Sequence, residues 1–184
     1  MPPTELVHEF PRREPLEAVR ADLATKVPAV VALGFVVKPG DVCGVISASS
    51  KLRRRTRAVA TGSGFAVDAA TGTVDDASVF KAGDVLKNAN GDTVGTVQSV
   101  NTTTNTITLT ADAAVAVAAG DAVLGSDGSQ VAQAISDDET DGTADANVTV
   151  VIGGFLNETK LRGLDSTAKT ELGGVSVVGG IFKF

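Results

Sequence analysis

Five basic side chains fall within one short stretch, Lys51, Arg53, Arg54, Arg55 and Arg57, the densest group in the chain able to do chemistry. Such a cluster can hold phosphates, and nucleic-acid binding requires that kind of charge. No aromatic residue is interleaved, and the rest of the chain is acidic, which argues against nucleic acid as a partner. Two other readings stay open. The cluster suits a solvated strand edge where positive charge discourages unwanted pairing, or a surface that docks on an acidic protein. Ser166 and Lys169 have the Ser-x-x-Lys spacing in which a lysine activates a serine nucleophile. No Ser-Asp-Asn or Lys-Thr-Gly follows, and Ser166 has a competing use as a helix cap, so no catalytic residue is assigned. Asp137, Glu139, Asp141 and Gly142 imitate the start of a calcium loop, but the acidic ligand needed at position 148 is replaced by Val148. A solvated hairpin loop is expected there, with neither metal nor cofactor. Gly62-Ser-Gly64 is too short for a phosphate loop and lacks its lysine. The single histidine, His8, has no assignable partner, and the single cysteine, Cys43 in GDVCGVIS, reads as a small buried thiol. With neither Trp nor Tyr, the chain reads as a structural or binding protein and not as an enzyme.

The elements that must position these residues are mostly strands. A chain of 184 residues with few aromatics has to build its core from Val, Ala, Leu and Ile, which suits thin sheets better than a deep pocket. The net charge of −6 hides an asymmetry: residues 1–60 hold 10 Lys/Arg against 6 Asp/Glu, and the remainder is strongly acidic. The apolar run VPAVVALGFVV contains Pro28 and Gly34 and is too short to cross a bilayer, and the N-terminus does not have the pattern of a secretion signal. Residues 1–14 carry three prolines and read as an arm that orders against a partner. Leu16, Val19, Leu23 and Val27 fall at near-helical spacing after Pro15, so a short helix over 15–27 competes with an extended strand. Strand character begins at Ala29. Gly40-Asp41-Val42, Gly83-Asp84-Val85 and Gly120-Asp121-Ala122 each predict a glycine turn leading into a strand. Asn90-Gly91 predicts a tight turn, and Ile107 and Leu109 alternate with Thr106, Thr108 and Thr110 as on a sheet with one wet face. The expected fold is mainly β with short helices. Residues 1–27 form the arm, 28–64 and 126–184 a body, and 65–125 an inserted small β-barrel or sandwich. Leu164, Ala168 and Leu172 predict a two-turn helix capped by Asp165 or Ser166 and ended by Gly173, before the closing strand VSVVGGIFKF.

The order of segments in the last third resembles the head decoration proteins of tailed bacteriophages, the family of the small lambda capsid-stabilising protein. The likeness runs through Asp127-Gly-Ser-Gln-Val-Ala-Gln-Ala-Ile135, the acidic loop Asp137–Asp145, Val148–Gly153, Phe155-Leu-Asn-Glu-Thr-Lys-Leu161, a helix ending in Leu172-Gly-Gly and the strand Val175–Ile181. Upstream, Val37-Lys-Pro-Gly-Asp-Val42 is similar to the family's opening turn. The resemblance implies a β-rich body that binds the outer surface of the expanded capsid, commonly as a homotrimer at local three-fold positions. It implies the major capsid protein of a tailed phage as partner, and a location on the virion after synthesis in the host cytoplasm. On that basis Leu6, Val7, Phe10 and Leu16 are the expected apolar anchors of a capsid-binding arm, with Arg12 and Arg13 at its rim. The chain departs from small family members in its length and in the 65–125 insertion. The alternative is another virion β-protein, such as a head-fibre or tail component, favoured by the Thr102–Thr110 face and the acidic loop.

Overall fold

The computed structural model describes residues 24–173 and 175–178. His8 and the expected anchors Leu6, Val7, Phe10, Arg12, Arg13 and Leu16 lie outside the described residues, as does most of the 15–27 helix alternative. Where that segment enters the structure it is extended: Thr25–Val31 is a strand, β1. Pro28 is tolerated within it for a specific reason. Its antiparallel partner is Thr149, whose N–H donates to Asp138 Oδ2 at 2.7 Å and whose carbonyl accepts from Asp137 N at 3.0 Å. Thr149 asks nothing of β1, so the N–H that proline lacks is not needed.

The body is built from β1, β2 (Val42–Ile46), β3 (Lys51–Arg54), β10 (Ala134–Ser136), β11 (Ala146–Asn157) and β12 (Val175–Val178), in sheet order β1-β3-β2-β10-β11-β12. The long β11 also pairs with β1, from Thr25 opposite Gly153 to Val31 opposite Ala146, so β1, β3, β2, β10 and β11 close into a ring. Alternation along the strands fills it. Val31, Leu52, Cys43, Ala134, Val148 and Val150 pack together inside. The opposite faces contribute Val42, Ile135 and Val151 to a second cluster with Ala168 and Leu172. Those last two belong to the helix α1 (Ser166–Glu171) and its cap, started by Asp165, whose side chain accepts from Ala168 N.

Between β3 and β10 the chain forms a second unit. β4 (Arg57–Thr61), β5 (Thr71–Val74), β6 (Val85–Lys87), β7 (Thr93–Asn101), β8 (Thr106–Leu109) and β9 (Ala122–Leu124) form a closed barrel in the order β4-β5-β8-β7-β6-β9. It starts at Arg57, earlier than residue 65. In KLRRRTRAVA only Arg55-Thr56 separates a body strand from a barrel strand, with no glycine or proline to mark the change. Phe65, Leu86, Val94, Val97, Ile107 and Val123 fill the barrel. Fully burying a side chain of this size stabilises by about 1.5–3 kcal/mol. Gly72 has no side chain because the Phe65 ring stands where its Cβ would be, with Cδ1 2.4 Å away.

The chain crosses between the units twice, and the crossings are bonded to each other. Thr56 O accepts from Gly125 N at 2.8 Å, Thr56 N donates to Ser129 O at 3.2 Å, and the Thr56 and Ser129 hydroxyls are 2.8 Å apart.

Candidate functional site at the seam between the barrels

The basic cluster of β3 and β4 lies along this seam. Leu52 points into the body ring, and the pleat turns Arg53 the other way, towards the inserted barrel. Arg53 is 1% exposed. Its Nη1 and Nη2 reach Asp84 Oδ1 and Oδ2 at 2.8 and 2.7 Å, Nη1 reaches Asp127 Oδ2 at 3.0 Å, and Nη2 donates to Val79 O at 2.9 Å. The planar fork suits a bidentate carboxylate. Its Cζ also lies 4.1 Å from the Phe35 ring centroid, leaving only Nε without an acceptor.

Its neighbours are engaged in the same way. Arg54 pairs with Asp76 at 2.7 Å and donates to Ser78 Oγ at 2.6 Å, with its Nε 3.4 Å from Asp41. Arg55 bridges Asp165 and Glu171, each at 2.9 Å, and donates from Nε to Gln130 O, fixing α1 to the crossing. Arg57 Nε lies 2.7 Å from the second Asp165 oxygen, an ion pair without an aligned hydrogen bond. Lys51 pairs with Asp145. All five cations therefore meet carboxylates of the chain itself. A solvated edge and a free docking patch are both corrected for the three arginines at 53–55: Arg53 and Arg55 are buried, and all three are internally paired. The same neutralisation leaves little charge here for phosphates.

Several carboxyls carry the electrostatic mark of this arrangement. Burial pushes Asp127 up, but hydrogen bonds from the Ser129 hydroxyl and N–H, followed by the Arg53 charge, bring it below the usual 3.8. Asp165 follows the same pattern: burial raises it, while the Ala168 N–H and Arg55 lower it further. Cys43 is pushed up to about 12 by burial and then by the Asp41 charge, which makes it an inert thiol.

The other motifs have structural surroundings. Lys169 pairs with Glu158, and Ser166 is the first residue of α1, its carbonyl accepting from Thr170. The acidic loop divides among separate partners: Asp137 meets Lys26, Asp138 caps Thr149, Asp141 accepts from Thr143 and Asp145 meets Lys51 and Leu33 N. Among the described residues no three His, Cys, Asp or Glu side chains converge on a common point.

Two of the three Gly-Asp motifs, at Asp41 and Asp84, build the seam. Gly40, Gly83 and Gly120 have φ of 91°, 91° and 93°, and each following aspartate N–H returns to the carbonyl three residues back. Asp41 and Asp84 also accept the N–H of Lys38 and Lys81 and receive Arg54 and Arg53. Above them opens a cleft of about 470 Å³, lined among others by Phe35, Val36, Lys38, Asp41, Lys81 and Arg162. Searches of protein-family models, of curated proteins and of solved structures find no match to this chain.

Proposed function

We propose that this protein is a structural component of a phage head, binding the outer surface of the expanded capsid and cementing neighbouring major capsid subunits, commonly as a trimer. The observation that supports it best is the order of the body segments. Asp127–Ile135, the acidic loop, Val148–Gly153, the helix before Leu172-Gly-Gly and the strand from Val175 follow the order of the decoration-protein family, and the fold joins them in one sheet and its flanking helix. A cementing role also suits a stiff body: two β units whose chain crossings are hydrogen-bonded together and braced by paired arginines. The partner contacts would come from the arm, with Leu6, Val7, Phe10 and Leu16 as anchors and Arg12 and Arg13 at the rim. The second reading, a head-fibre or tail component, is favoured by the exposed Thr102–Thr104 tip between β7 and β8.

The test is cryo-electron microscopy of expanded, undecorated heads mixed with the full chain and with a chain lacking residues 1–14. The expected result is density over local three-fold sites with the full chain and bare shells with the truncated one. Bare shells with both, at saturating protein, would transfer the assignment to the fibre or tail.

A further inference from the structure

Among the described residues, two lysines at the seam have no carboxylate within ion-pair distance, although the arginines around them all have one. Lys38, from the body, and Lys81, from the inserted barrel, both line the seam cleft. Each is the first residue of a Lys-x-Gly-Asp turn, Lys38-Pro-Gly-Asp41 and Lys81-Ala-Gly-Asp84. In both, the lysine N–H donates to the turn's own aspartate, at 2.8 and 2.9 Å, and that aspartate is in turn paired with an arginine. The third turn, Ala118-Ala-Gly-Asp121, has the same backbone geometry but no lysine, and it does not line the cleft. The Lys81 ammonium rests 3.6 Å from the Phe35 ring centroid. Among the described residues no hydrogen-bond acceptor meets either Nζ.

The charges along the cleft wall leave a surplus. Arg53 is answered by Asp84 and Asp127, and Arg54 and Arg162 share Asp41 and Asp76. With Lys38 and Lys81 there are five cations against these four carboxylates, a local surplus of one in a chain whose net charge is −6, and Asp84 and Asp127 also act on Lys81 from beyond ion-pair distance. Arg162, with its side chain 46% exposed, still has donor capacity at the rim. The exposed Val36 supplies apolar surface beside these cations.

We propose that this cleft binds an acidic peptide segment of a partner protein, with its carboxylates on the Lys38 and Lys81 ammonium groups and its aliphatic stems against the exposed Val36. The exposed apolar surface of Val36 beside the ammoniums suits a peptide, which carries aliphatic stems as well as carboxylates, better than a small inorganic anion. Nucleic acid fits less well, because Arg53 and Lys81 already cover the Phe35 ring and leave no stacking platform. The proposal rests on the seam's charges and is independent of the capsid reading.

The test is an NMR titration of the full chain with a short, end-blocked polyglutamate peptide at low salt, run beside inorganic phosphate and a short oligothymidylate. The expected result is shifts at the amides of Gly34–Lys38, Lys81 and Arg162, saturating with the peptide and weakened at least about tenfold in Lys38→Glu/Lys81→Glu. Lys38→Gln/Lys81→Gln, which adds no negative charge, should weaken binding as well. Neither lysine is in an ion pair, and unchanged urea midpoints would show that the variants keep the fold. The proposal is overturned by absence of shifts, by shifts elsewhere, by equal affinity in the variants, or by phosphate or oligothymidylate giving the same shifts at equal affinity.

Discussion

At the scale of single residues, Arg53 decides how the two units are held. A buried ion pair gains little over an apolar pair, yet removing one partner strands the other, at a cost of about 3–5 kcal/mol. Asp84 is 10% exposed at its side chain and would be left facing the Phe35 pocket. Arg53→Ala should therefore lower stability by about that amount in urea denaturation, and Arg53→Lys should recover only part of it, because an ammonium cannot reproduce the fork. Arg53→Met combined with Asp84→Leu should recover more than Arg53→Lys; if it is no better than Arg53→Ala, the cost does not lie in a stranded charge. Acid should loosen the same seam. The folded pKa values of Asp127 and Asp165 are lowered from 3.8, so their contribution is complete above that value and is lost as pH falls through the lower folded values. Thermal midpoints should fall on acidification below about pH 4, and Asp127→Asn should flatten that fall; an unaltered slope would remove Asp127 from the account. Cys43, buried with its pKa at about 12, should resist thiol reagents until the chain is unfolded. The basic cluster is plain in the sequence but its partners are not: Asp76 is 22 positions from Arg54, and Glu171 is 116 from Arg55. Only the closed fold brings them together.

At the scale of elements, the three Gly-Asp turns show what local sequence can specify. Each requires positive φ at its glycine, and each leads into the strand that follows, β2, β6 or β9. The hairpin at Asn90-Gly91 and the alternation in β8 are equally local, and both are present. β1 was harder to read, because the apolar spacing before Pro28 fits a helix as well as a strand. From Thr25 onward what decides it is pairing with β11, more than a hundred residues away. Two glycines separate strain from collision. A Cβ on Gly83 meets nothing within 4 Å, so Gly83→Ala should cost only the left-handed backbone, about 1–2 kcal/mol. A Cβ on Gly44 would lie 2.1 Å from Ser129 O, a backbone atom on the crossing itself. Gly44→Ala should therefore cost more than Gly83→Ala in denaturant and should shift the NMR signals of the crossing at Thr56 and Ser129, which Gly83→Ala should leave in place. Equal costs would mean that the crossing yields easily.

At the scale of the whole molecule, the inserted barrel is joined to the body through ends that already touch. Thr56 and Gly125 share a backbone hydrogen bond of 2.8 Å, so a link of a few glycines can replace residues 57–124 without stretching either end. Among the described residues, the core clusters of the body contain no barrel residue, and the barrel cluster contains no body residue. The groups that lose partners on deletion are polar ones at the seam. Arg53 would lose Asp84 and Val79 O but keep Asp127, and with the barrel gone it would be bathed in water, so its charge would be solvated and not stranded. The deleted chain should therefore still unfold cooperatively, with a urea m-value reduced in line with the smaller surface exposed. On the capsid reading it should also decorate expanded heads at the copy number of the full chain, since the expected anchors lie in the arm. A body that unfolds without a cooperative transition would make the barrel an integral part of the fold, despite the separate cores. A folded body that no longer decorates heads would instead place a capsid or subunit contact on the barrel. The two outcomes are read by different instruments, denaturation and particle counting, so neither can be mistaken for the other.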